Sequence, residues 1–481
     1  MKRILLLILL ALLWPSFSSA GLIMRKVTAD VEPIPTYTVC PNPPGTCDQL
    51  DIQAAVVAYD LEPDDFIKVY AGTYTTMVDT ANTDTGTSGH PILIQSHSGD
   101  TVTVDTGGAT DGIVLDAGVD FLILDGIDST TAPRYGLSLA TGGSTGIIIR
   151  NFDISSNVKS NIVATSQDDL TIENGNASSS VDEDGIRLQL DCTGDLVIDS
   201  VTIDSNDDNG IEFNANDLEA FGAGAQVIDC TISENSGLGG VYIAAGYSAP
   251  VIHCTFDGNN GDGFHLLGTA LSGVIRRSTI FDSGTVGGSS TGDGVTNHGT
   301  AAGLEATHCL MYNNGKFAVA LASSSTAIIT NCTIYNNQQN YVGGEYLASG
   351  AVGASPMVNC IVVNTESRVL VKTDQWATLA GSDYNCYYGN AANPFNVADT
   401  NYATFALYKA AGQAALSDAT FESHSMWADP VFVTPGSDFH LQSGSPCRDA
   451  GLDVSLTVDL DGVAIPQETN PAIGAFEYVA P

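Results

Sequence analysis

The chain of 481 residues is strongly acidic, with 55 aspartates and glutamates against only 16 lysines and arginines and a formal net charge of −39. Because binding to nucleic-acid phosphates requires clustered basic side chains, nucleic acid is excluded as an expected partner. So acidic a surface favours solubility in a saline medium.

Residues 1–20 have the pattern of a secretory signal peptide. A basic pair, Lys2 and Arg3, precedes an apolar run, and small residues occupy positions 18–20 before the expected cleavage site. The run is too short for a membrane-spanning helix with these flanks, and no later segment is apolar enough to cross a bilayer. We therefore expect a secreted, extracellular protein that acts as a monomer and has no transmembrane segment in its mature chain.

Residues 21–65 are predicted to form an N-terminal segment and a helical cap. The spacing of apolar residues over 48–59 indicates a short amphipathic helix with Asp48 as its N-cap. Its predicted buried face carries Ile52, Ala55, Val56 and Tyr59. A repeat protein requires such a cap, because its first repeat would otherwise expose unpaired strand edges and apolar interior.

Residues 66–374 repeat one pattern, with a period of 22 to 31 residues where it is most regular. Apolar residues alternate within each unit, which indicates strands with one buried face. Three residues after the last apolar position stands a small polar residue; these are Asn157, Ser179, Asn206, Asn235, Asn259, Ser283, Asn314 and Asn337. Asp-Gly or Asn-Gly pairs that begin at 111, 184, 209, 262 and 293 mark tight corners. The period predicts an all-β solenoid of roughly 10–12 coils.

These columns resemble those of the pectate-lyase-like superfamily of secreted bacterial proteins, which implies a right-handed parallel β-helix. The recurring polar residue is similar to the asparagine ladder of that superfamily, in which each amide bonds to the backbone and to the asparagine of the next coil. We interpret both columns as structural. The helix-then-strand opening that ends at 71–74 in Ala-Gly-Thr-Tyr also resembles the N-terminal cap of many β-helix proteins.

The ten cysteines fall into two groups. Five share one inward register of the repeat and are expected to be stacked, buried thiols: Cys230, Cys254, Cys309, Cys332 and Cys360. Stacked neighbours in parallel strands point the same way and rarely reach disulfide geometry. Cys40 and Cys47 are the expected disulfide of an exported protein, and Cys386 with Cys447 is a second candidate pair.

Residues 375–481 are predicted to form a C-terminal cap or module, with a short helix over 405–412. Five motifs follow one another in this region, namely Asp-Pro-Val-Phe at 429–432, Asp-Phe-His-Leu at 438–441, the Gly-Ser-Pro-Cys-Arg-Asp-Ala-Gly segment 444–451, Asp-Leu-Asp-Gly at 459–462 and Ile-Gly-Ala-Phe-Glu-Tyr at 473–478. Their order resembles the terminal module of secreted bacterial β-helix proteins of the choice-of-anchor Q kind. Together the resemblances cover nearly all of the mature chain, but they identify a scaffold and not a reaction.

No signature of a β-helix enzyme is complete in this sequence. The Gly-His-Gly and Arg-Ile-Lys segments of polygalacturonase-like enzymes are missing, as is the arginine-rich segment of pectate lyases. One column of titratable residues remains: Asp229, His253, Arg277 and His308, with Arg276 beside it. We predict that His253, Arg276, Arg277 and His308 point outward on a sheet face and bind the carboxylates of an acidic sugar. A solvated stack and a catalytic site are the alternatives.

Calcium is the cofactor for which the sequence offers ligands. The acidic segments 182–184 and 204–208 supply the oxygen atoms that calcium prefers, although hydrogen bonding at the corners explains the same residues. No ligand spacing of the zinc type is present.

Two functions remain open. An exported scaffold that binds polysaccharide or a cell-surface glycan is favoured by the missing catalytic signatures and by the long, regular surface. The alternative is a polysaccharide lyase or glycoside hydrolase that acts on an acidic polysaccharide. This alternative is favoured by the resemblance and by the histidine and arginine column.

Overall fold

The computed structural model describes residues 34–480, except for 42–46, 82, 109, 140–141, 190–191, 215–221, 248, 285–291, 300–302, 323–324, 338–343 and 351–352. The expected signal peptide, residues 1–20, lies outside the described residues. Within the described part of the chain, none of the helices has the length and hydrophobicity of a membrane span.

The strands stack in register as three parallel sheets, which wind into a right-handed β-helix of about 12 turns. Sheet 1 contains Tyr37–Val39, Phe66–Val69, Ile92–Ser96, Leu122–Asp125, Thr145–Arg150, Asp168–Ser178, Val197–Asp204, Gln226–Ile228, Val251–Ile252, Asp262–Arg276, Gly303–Thr307, Thr326–Thr330 and Met357–Val358. Sheet 2 shares Asp168–Ser178 and Val197–Asp204 and adds Gly72–Tyr74, Val102–Asp105, Asp128–Thr130, Asp153–Ser155, Thr231–Ser233, Thr255–Asp257, Thr279–Phe281, Leu310–Tyr312, Thr333–Tyr335, Ile361–Asn364, Cys386–Gly389 and Met426–Trp427. Sheet 3 shares Asp262–Arg276 and adds Val78–Thr80, Ile113–Leu115, Leu137–Leu139, Ile162–Thr165, Ile186–Gln189, Ile211–Asn214, Gly239–Tyr247, Val295–Asn297, Val319–Ala322, Gly344–Ser349, Val369–Thr373, Phe395–Val397 and the antiparallel Thr400–Tyr402.

The inner face of sheet 1 shows why the alternating pattern folds into coils. One buried apolar residue from each strand pairs with its counterpart in the next coil: Ile67, Ile94, Leu124, Ile149, Ile172, Ile198, Val227, Val251, Ile275, Ala306, Ile329 and Met357. Full burial of such a side chain contributes about 1.5–3 kcal/mol. A shift by one residue would turn this column to solvent, so the repeat fixes its own register.

The asparagine ladder predicted from the repeat is confirmed. Its asparagines are buried. Nδ2 of Asn206 donates to Oδ1 of Asn235 at 2.9 Å, and Nδ2 of Asn235 donates to Oδ1 of Asn259 at 2.9 Å. The same contact joins Asn314 to Asn337 at 2.8 Å. Side-chain amides therefore satisfy one another along the helix axis.

One rung of the ladder differs from the prediction. Register places Ser180, not Ser179, in line with Asn157, and Ser179 is instead a left-handed residue with φ of 57°. Because a serine is too short to reach the next coil, Asn161 spans the gap and donates from Nδ2 to Oδ1 of Asn206 at 2.9 Å.

The N-terminal cap is a helix, as predicted, but it is shorter. It covers Ile52–Ala58, and its N-cap is Asp51, whose carboxylate accepts an amide of the first turn. Asp48 instead accepts the backbone amide of Thr38 at 2.8 Å. The parallel ladder also starts earlier than residue 66, because Tyr37–Val39 pairs with Phe66–Val69.

The parallel ladder continues beyond residue 374, through Cys386–Gly389 to Met426–Trp427. A 3-10 helix covers Trp376–Leu379, and the helix predicted over 405–412 extends over Phe405–Leu416. The remaining strands, Phe432–Thr434 and Asp438–Leu441, form an antiparallel hairpin.

The segment 429–478, here called the C-terminal segment, folds back onto the outer face of sheet 2. Leu310, Tyr335 and Ile361 of that face share an apolar cluster with residues of the C-terminal segment. The backbone amide of Gly474 donates to the Asn359 carbonyl at 2.8 Å. Sheet 2 is therefore covered in its last coils, where Leu310 and Ile361 join threonine at its outward positions.

The predictions for the Cys40–Cys47 disulfide and for the five stacked cysteines are confirmed, whereas the second candidate disulfide, Cys386 with Cys447, is not formed. Cys40 and Cys47 form a disulfide with a Cα–Cα distance of 6.0 Å. The five stacked cysteines of the repeat are buried, free thiols. Cys386 and Cys447 are also free and fully buried, and their thiols contact each other inside the cluster beneath the C-terminal segment.

Candidate functional site

The predicted binding column lies at the corner between sheet 1 and sheet 2, not on a sheet face. From Asn151 to Asn359, the residue two positions after each inward sheet 1 residue has a left-handed backbone that turns the chain. The φ angles of His253, Arg277 and His308 are 55°, 46° and 51°. The strands of sheet 1 end one residue earlier than the alternating pattern implies. The position of His253, Arg277 and His308, which was predicted to face outward on a strand, therefore forms the corner.

Two members of this region form exposed ion pairs. Arg276 lies one position before the corner, on the outer face of sheet 1, and its Nε and Nη2 atoms contact Oε1 of Glu305 at 2.9 and 2.8 Å. At the corner itself, Nδ1 of His253 contacts the carboxylate of Asp229. Solvent screens both pairs, so each contributes less than about 1 kcal/mol to stability.

His308 does not point outward as predicted. Its side chain is 2% exposed, and Nε2 has no hydrogen-bond partner among the described residues. Burial, followed by the charge of Arg277, lowers the pKa of His308 to about 4. A buried, neutral imidazole cannot meet a carboxylate from solvent, so His308 is not a direct contact residue for a sugar.

His253 and Arg277 face a pocket of about 180 Å³ that the C-terminal segment closes on one side. Leu460, Asp461 and Phe476 form that side. Within the described part of the chain, the guanidinium of Arg277 makes no ion pair. The fold thus brings two of the four predicted residues together with side chains that are distant in sequence.

A second column of titratable residues runs along the outer face of sheet 3. Strand register aligns Arg187, Glu212, Tyr242, His265 and Thr296 in successive coils. Several of these side chains are buried, which is unusual for charged groups on an outer face. The sequence argument did not identify this column as a site.

His265 is backed by a buried carboxylate. Nδ1 of His265 contacts Oδ2 of Asp262 at 2.6 Å, and Oδ1 of Asp262 accepts the amides of Gly292 and Asp293 at 2.7 and 2.8 Å. Burial would raise the pKa of Asp262, but His265 and the two amides outweigh it and hold this pKa below its usual range. The other ring nitrogen of His265, Nε2, is buried and has no partner among the described residues. A buried polar atom left unsatisfied beside a buried carboxylate is typical of a functional site.

The ring of His265 lies between two other rings. Tyr242 and His298 pack edge-on against it at centroid distances of 5.4 and 5.6 Å. His298 is exposed, so the cluster reaches the surface there, and burial together with the charge of His265 lowers the pKa of His298. Burial and the charge of Asp262 raise the pKa of Asp293 to about 8. The cluster thus combines the charged carboxylate of Asp262, the protonated carboxyl group of Asp293 and the neutral imidazole of His298 within a few coils.

Further toward the N-terminus, the same face holds Arg187 among acidic residues. Its Nε lies 2.8 Å from Oε2 of Glu212, an ion contact without well-aligned hydrogen-bond geometry, and its Nη1 lies 3.2 Å from Oε2 of Glu183. Burial, then the charge of Glu212, raises the pKa of Asp184 to about 8. This arginine is therefore neutralised within the protein.

The acidic segments considered for calcium are engaged in these contacts. Glu183 accepts a hydrogen bond from Nζ of Lys159 at 2.6 Å, Asp184 accepts one from Nδ2 of Asn209 at 3.0 Å, and Asn206 belongs to the ladder. Across the residues that the structure describes, no group of three or more His, Cys, Asp or Glu side chains is gathered as a metal site. Calcium stays a prediction, and the assay proposed below includes it.

A signal for the second column was present in the sequence. The Asp-Gly and Asn-Gly corners were interpreted as structural, which they are. Three residues after the corner residues at 184, 209 and 262 stand Arg187, Glu212 and His265. A titratable residue at one fixed offset from a corner predicts a column, just as the residues before the inward cysteines did.

The stacked register, the inward columns and the asparagine ladder define a right-handed parallel β-helix protein. A family model described as a right-handed beta helix region matches residues 218–405. No curated protein matches the chain in sequence.

Among solved structures, the chain is similar to several lyases. For pectate lyase Pel9A the identity is 16%, 89% of this chain and 90% of that chain are covered, and the TM-score is 0.39. For a variant of the PL6 family alginate lyase AlyGC the identity is 14%, 70% of this chain and 51% of that chain are covered, and the TM-score is 0.49. For a rhamnogalacturonan lyase the identity is 15%, 73% of this chain and 87% of that chain are covered, and the TM-score is 0.31. Similarity at this level concerns the fold and identifies neither a substrate nor a reaction.

Proposed function

We propose that this chain acts on an acidic polysaccharide by acid–base chemistry at the outer face of sheet 3. The observation that carries the proposal is the buried pair of Asp262 and His265. Asp262 fixes Nδ1 of the imidazole, so that Nε2 presents a lone pair that can accept a proton. Nε2 of His308 is also buried and unpaired among the described residues, but of these two histidines only His265 combines an unpaired Nε2 with a buried carboxylate that holds its Nδ1.

The reaction class that fits these groups is β-elimination at a uronic acid unit. Nε2 of His265 takes the proton from the carbon beside the carboxylate, the electron pair forms a carbon–carbon double bond, and the bond to the glycosidic oxygen breaks. Tyr242, whose pKa is raised by burial and by nearby carboxylates, donates the proton to the leaving oxygen. Lys316, whose charge acts on Asp293 and His298, offsets the charge of the substrate carboxylate.

Substrate must reach a side chain that is only 4% exposed. The rings of Tyr242 and His298 pack edge-on against the ring of His265, so we expect a sugar to gain access when the exposed His298 turns aside while Tyr242 stays in place as the proton donor. His298 is the exposed member and forms the entrance. Access through side-chain motion also excludes water from the base until substrate binds.

The second candidate function is an exported scaffold that binds polysaccharide or a cell-surface glycan without cleaving it. It is favoured by the exposed His253 and the partly buried guanidinium of Arg277 beside the C-terminal segment, which are independent of the sheet 3 face. Export rests on the signal peptide predicted over residues 1–20. Both candidates require an acidic sugar, and they differ in whether a product forms.

The test is an assay of the purified protein on pectate, alginate and sulfated glycans, with and without calcium. A lyase gives an unsaturated product that absorbs ultraviolet light. We expect product from a uronic acid polymer and a loss of about 10²-fold or more in rate for His265→Gln, the contribution typical of a general base.

His424→Gln is the matched control, because His424 also contacts an aspartate, Asp383, but is exposed on another part of the protein. Its rate should equal that of the wild type. Binding without product on every polymer would favour the scaffold, and product formation by His265→Gln at the wild-type rate would exclude His265 as the base.

A further inference from the structure

We propose that the pocket between the corner column and the C-terminal segment is a second saccharide site, which binds the carboxylate of a uronic acid unit through Arg277. The pocket lies at the corner of sheets 1 and 2, away from the outer face of sheet 3 that carries His265. The inference rests on the proposed function only for the choice of an acidic sugar.

The charge of Arg277 is the first argument. Five of the six other arginines in the described part of the chain hold carboxylates; these pairs are Arg134 with Asp111, Arg150 with Asp125, Arg187 with Glu212, Arg276 with Glu305, and Arg448 with Glu468. Arg277 lines a pocket and has no such partner among the described residues. In a chain with a net charge of −39, an anion is repelled from most of the surface and is attracted where a cation is left uncompensated. The guanidinium fork matches a carboxylate in shape.

The other walls of the pocket fit a sugar ring. Thr255 and Thr279 supply hydroxyl groups, and Asp461, whose Oδ2 also contacts Nε2 of His440 at 2.8 Å, supplies an acceptor for sugar hydroxyls. Phe476 packs against His440 and contributes an apolar wall of which little is exposed. The volume of about 180 Å³ is below the roughly 300–1,000 Å³ of typical ligand sites. One sugar unit fits this volume better than an oligosaccharide does.

The backbone at the pocket is the third argument. Left-handed φ angles suit asparagine, and the corner positions of later coils are Asn331 and Asn359. Arg277 adopts the same conformation without that advantage, whereas histidine, as at His253, is tolerated there. A strained backbone that carries a cation into a pocket is typical of a binding site.

The test is a calorimetric titration of the purified full chain with galacturonate at low salt. We expect saturable binding and a loss of affinity of about tenfold or more for Arg277→Asn. Asparagine is chosen because it removes the charge and suits the left-handed corner, so the variant keeps its melting temperature. Arg276→Gln is the matched control: Arg276 is the next residue, but it is paired with Glu305 outside the pocket. Its affinity should stay within about twofold of the wild type.

Two further arms separate the sources of binding. Glucose should not bind in the same concentration range, and a sulfated hexose that binds as well as galacturonate would extend the site to sulfate esters. Equal binding of glucose, unchanged affinity in Arg277→Asn, or no saturation would each overturn the proposal. His265→Gln should bind as the wild type does. This outcome keeps the site distinct from the sheet 3 face, so either proposal can fail while the other stands.

Discussion

The outer face of sheet 3 and the corner between sheets 1 and 2 each carry a titratable residue in four successive coils, but His265 and His253 differ in burial. On sheet 3, Asp262 and His265 are buried, and the carboxylate is held by amides of the next coil. At the corner, His253 and Asp229 are about half exposed and contact each other. The same repeat thus produces a preorganised, desolvated cluster on one side and a solvated, adaptable one on the other. Chemistry at a base is favoured in the first environment, and capture of a charged group in the second.

The largest expected effect tests the register on which this comparison depends. Cys254 lies directly behind the corner column and is 1% exposed. Cys254→Asp buries a charge without a partner in the stack and should cost more than about 4 kcal/mol of unfolding free energy. Cys254→Ala leaves a small cavity and should cost about 1 kcal/mol.

Chemical denaturation of both variants measures these costs. Rapid thiol labelling of Cys254 in the native wild-type protein would contradict the inward register, whatever the stabilities of the variants.

A second prediction compares the two columns directly by the same substitution. Asp262→Asn weakens an acceptor of three hydrogen bonds beside a buried histidine and should cost about 3 kcal/mol. Asp229→Asn removes an exposed contact with His253 and should cost less than about 1 kcal/mol, because asparagine also suits the left-handed backbone. Unfolding free energies of the two variants check this difference. Equal costs would mean that the two columns are equally solvated.

The third prediction concerns the dependence of stability on pH. Burial raises the pKa of Glu345 to about 7, and that of Asp293 to about 8. In the unfolded chain both groups titrate near about 4. The folded protein therefore binds more protons between about pH 4 and 8, and its free energy of unfolding should decrease as pH rises through this range.

Glu345→Gln tests this interpretation, because glutamine cannot ionise beside Asn337 and Asn364 in the ladder. The decrease in melting temperature from pH 5 to pH 8 should be smaller in this variant than in the wild type. An identical pH dependence would show that Glu345 does not contribute. The control variant is Glu366→Gln, because Glu366 is exposed.

The sequence by itself determined the solenoid. Asn206, Asn235 and Asn259 recur with the repeat, and the stacked cysteines share its inward register, so one unit predicts the next. Such patterns are short-range: a period of two gives the strand faces, and a period of one coil gives the stacking. It also placed His253 and Arg277 in one column, because register is a property of the repeat.

Only the tertiary structure decided what surrounds these columns. Asp262 receives its amides from residues about 30 positions later, and the pocket at Arg277 needs Asp461 and Phe476, which lie far outside the repeat. His308 has the same local sequence pattern as His253, but His308 is buried. The local pattern gives no sign of this difference. Periodicity specifies how coils stack. Burial, desolvation and contacts between distant segments depend on packing in three dimensions, and this packing sets the pKa values and contacts on which function depends.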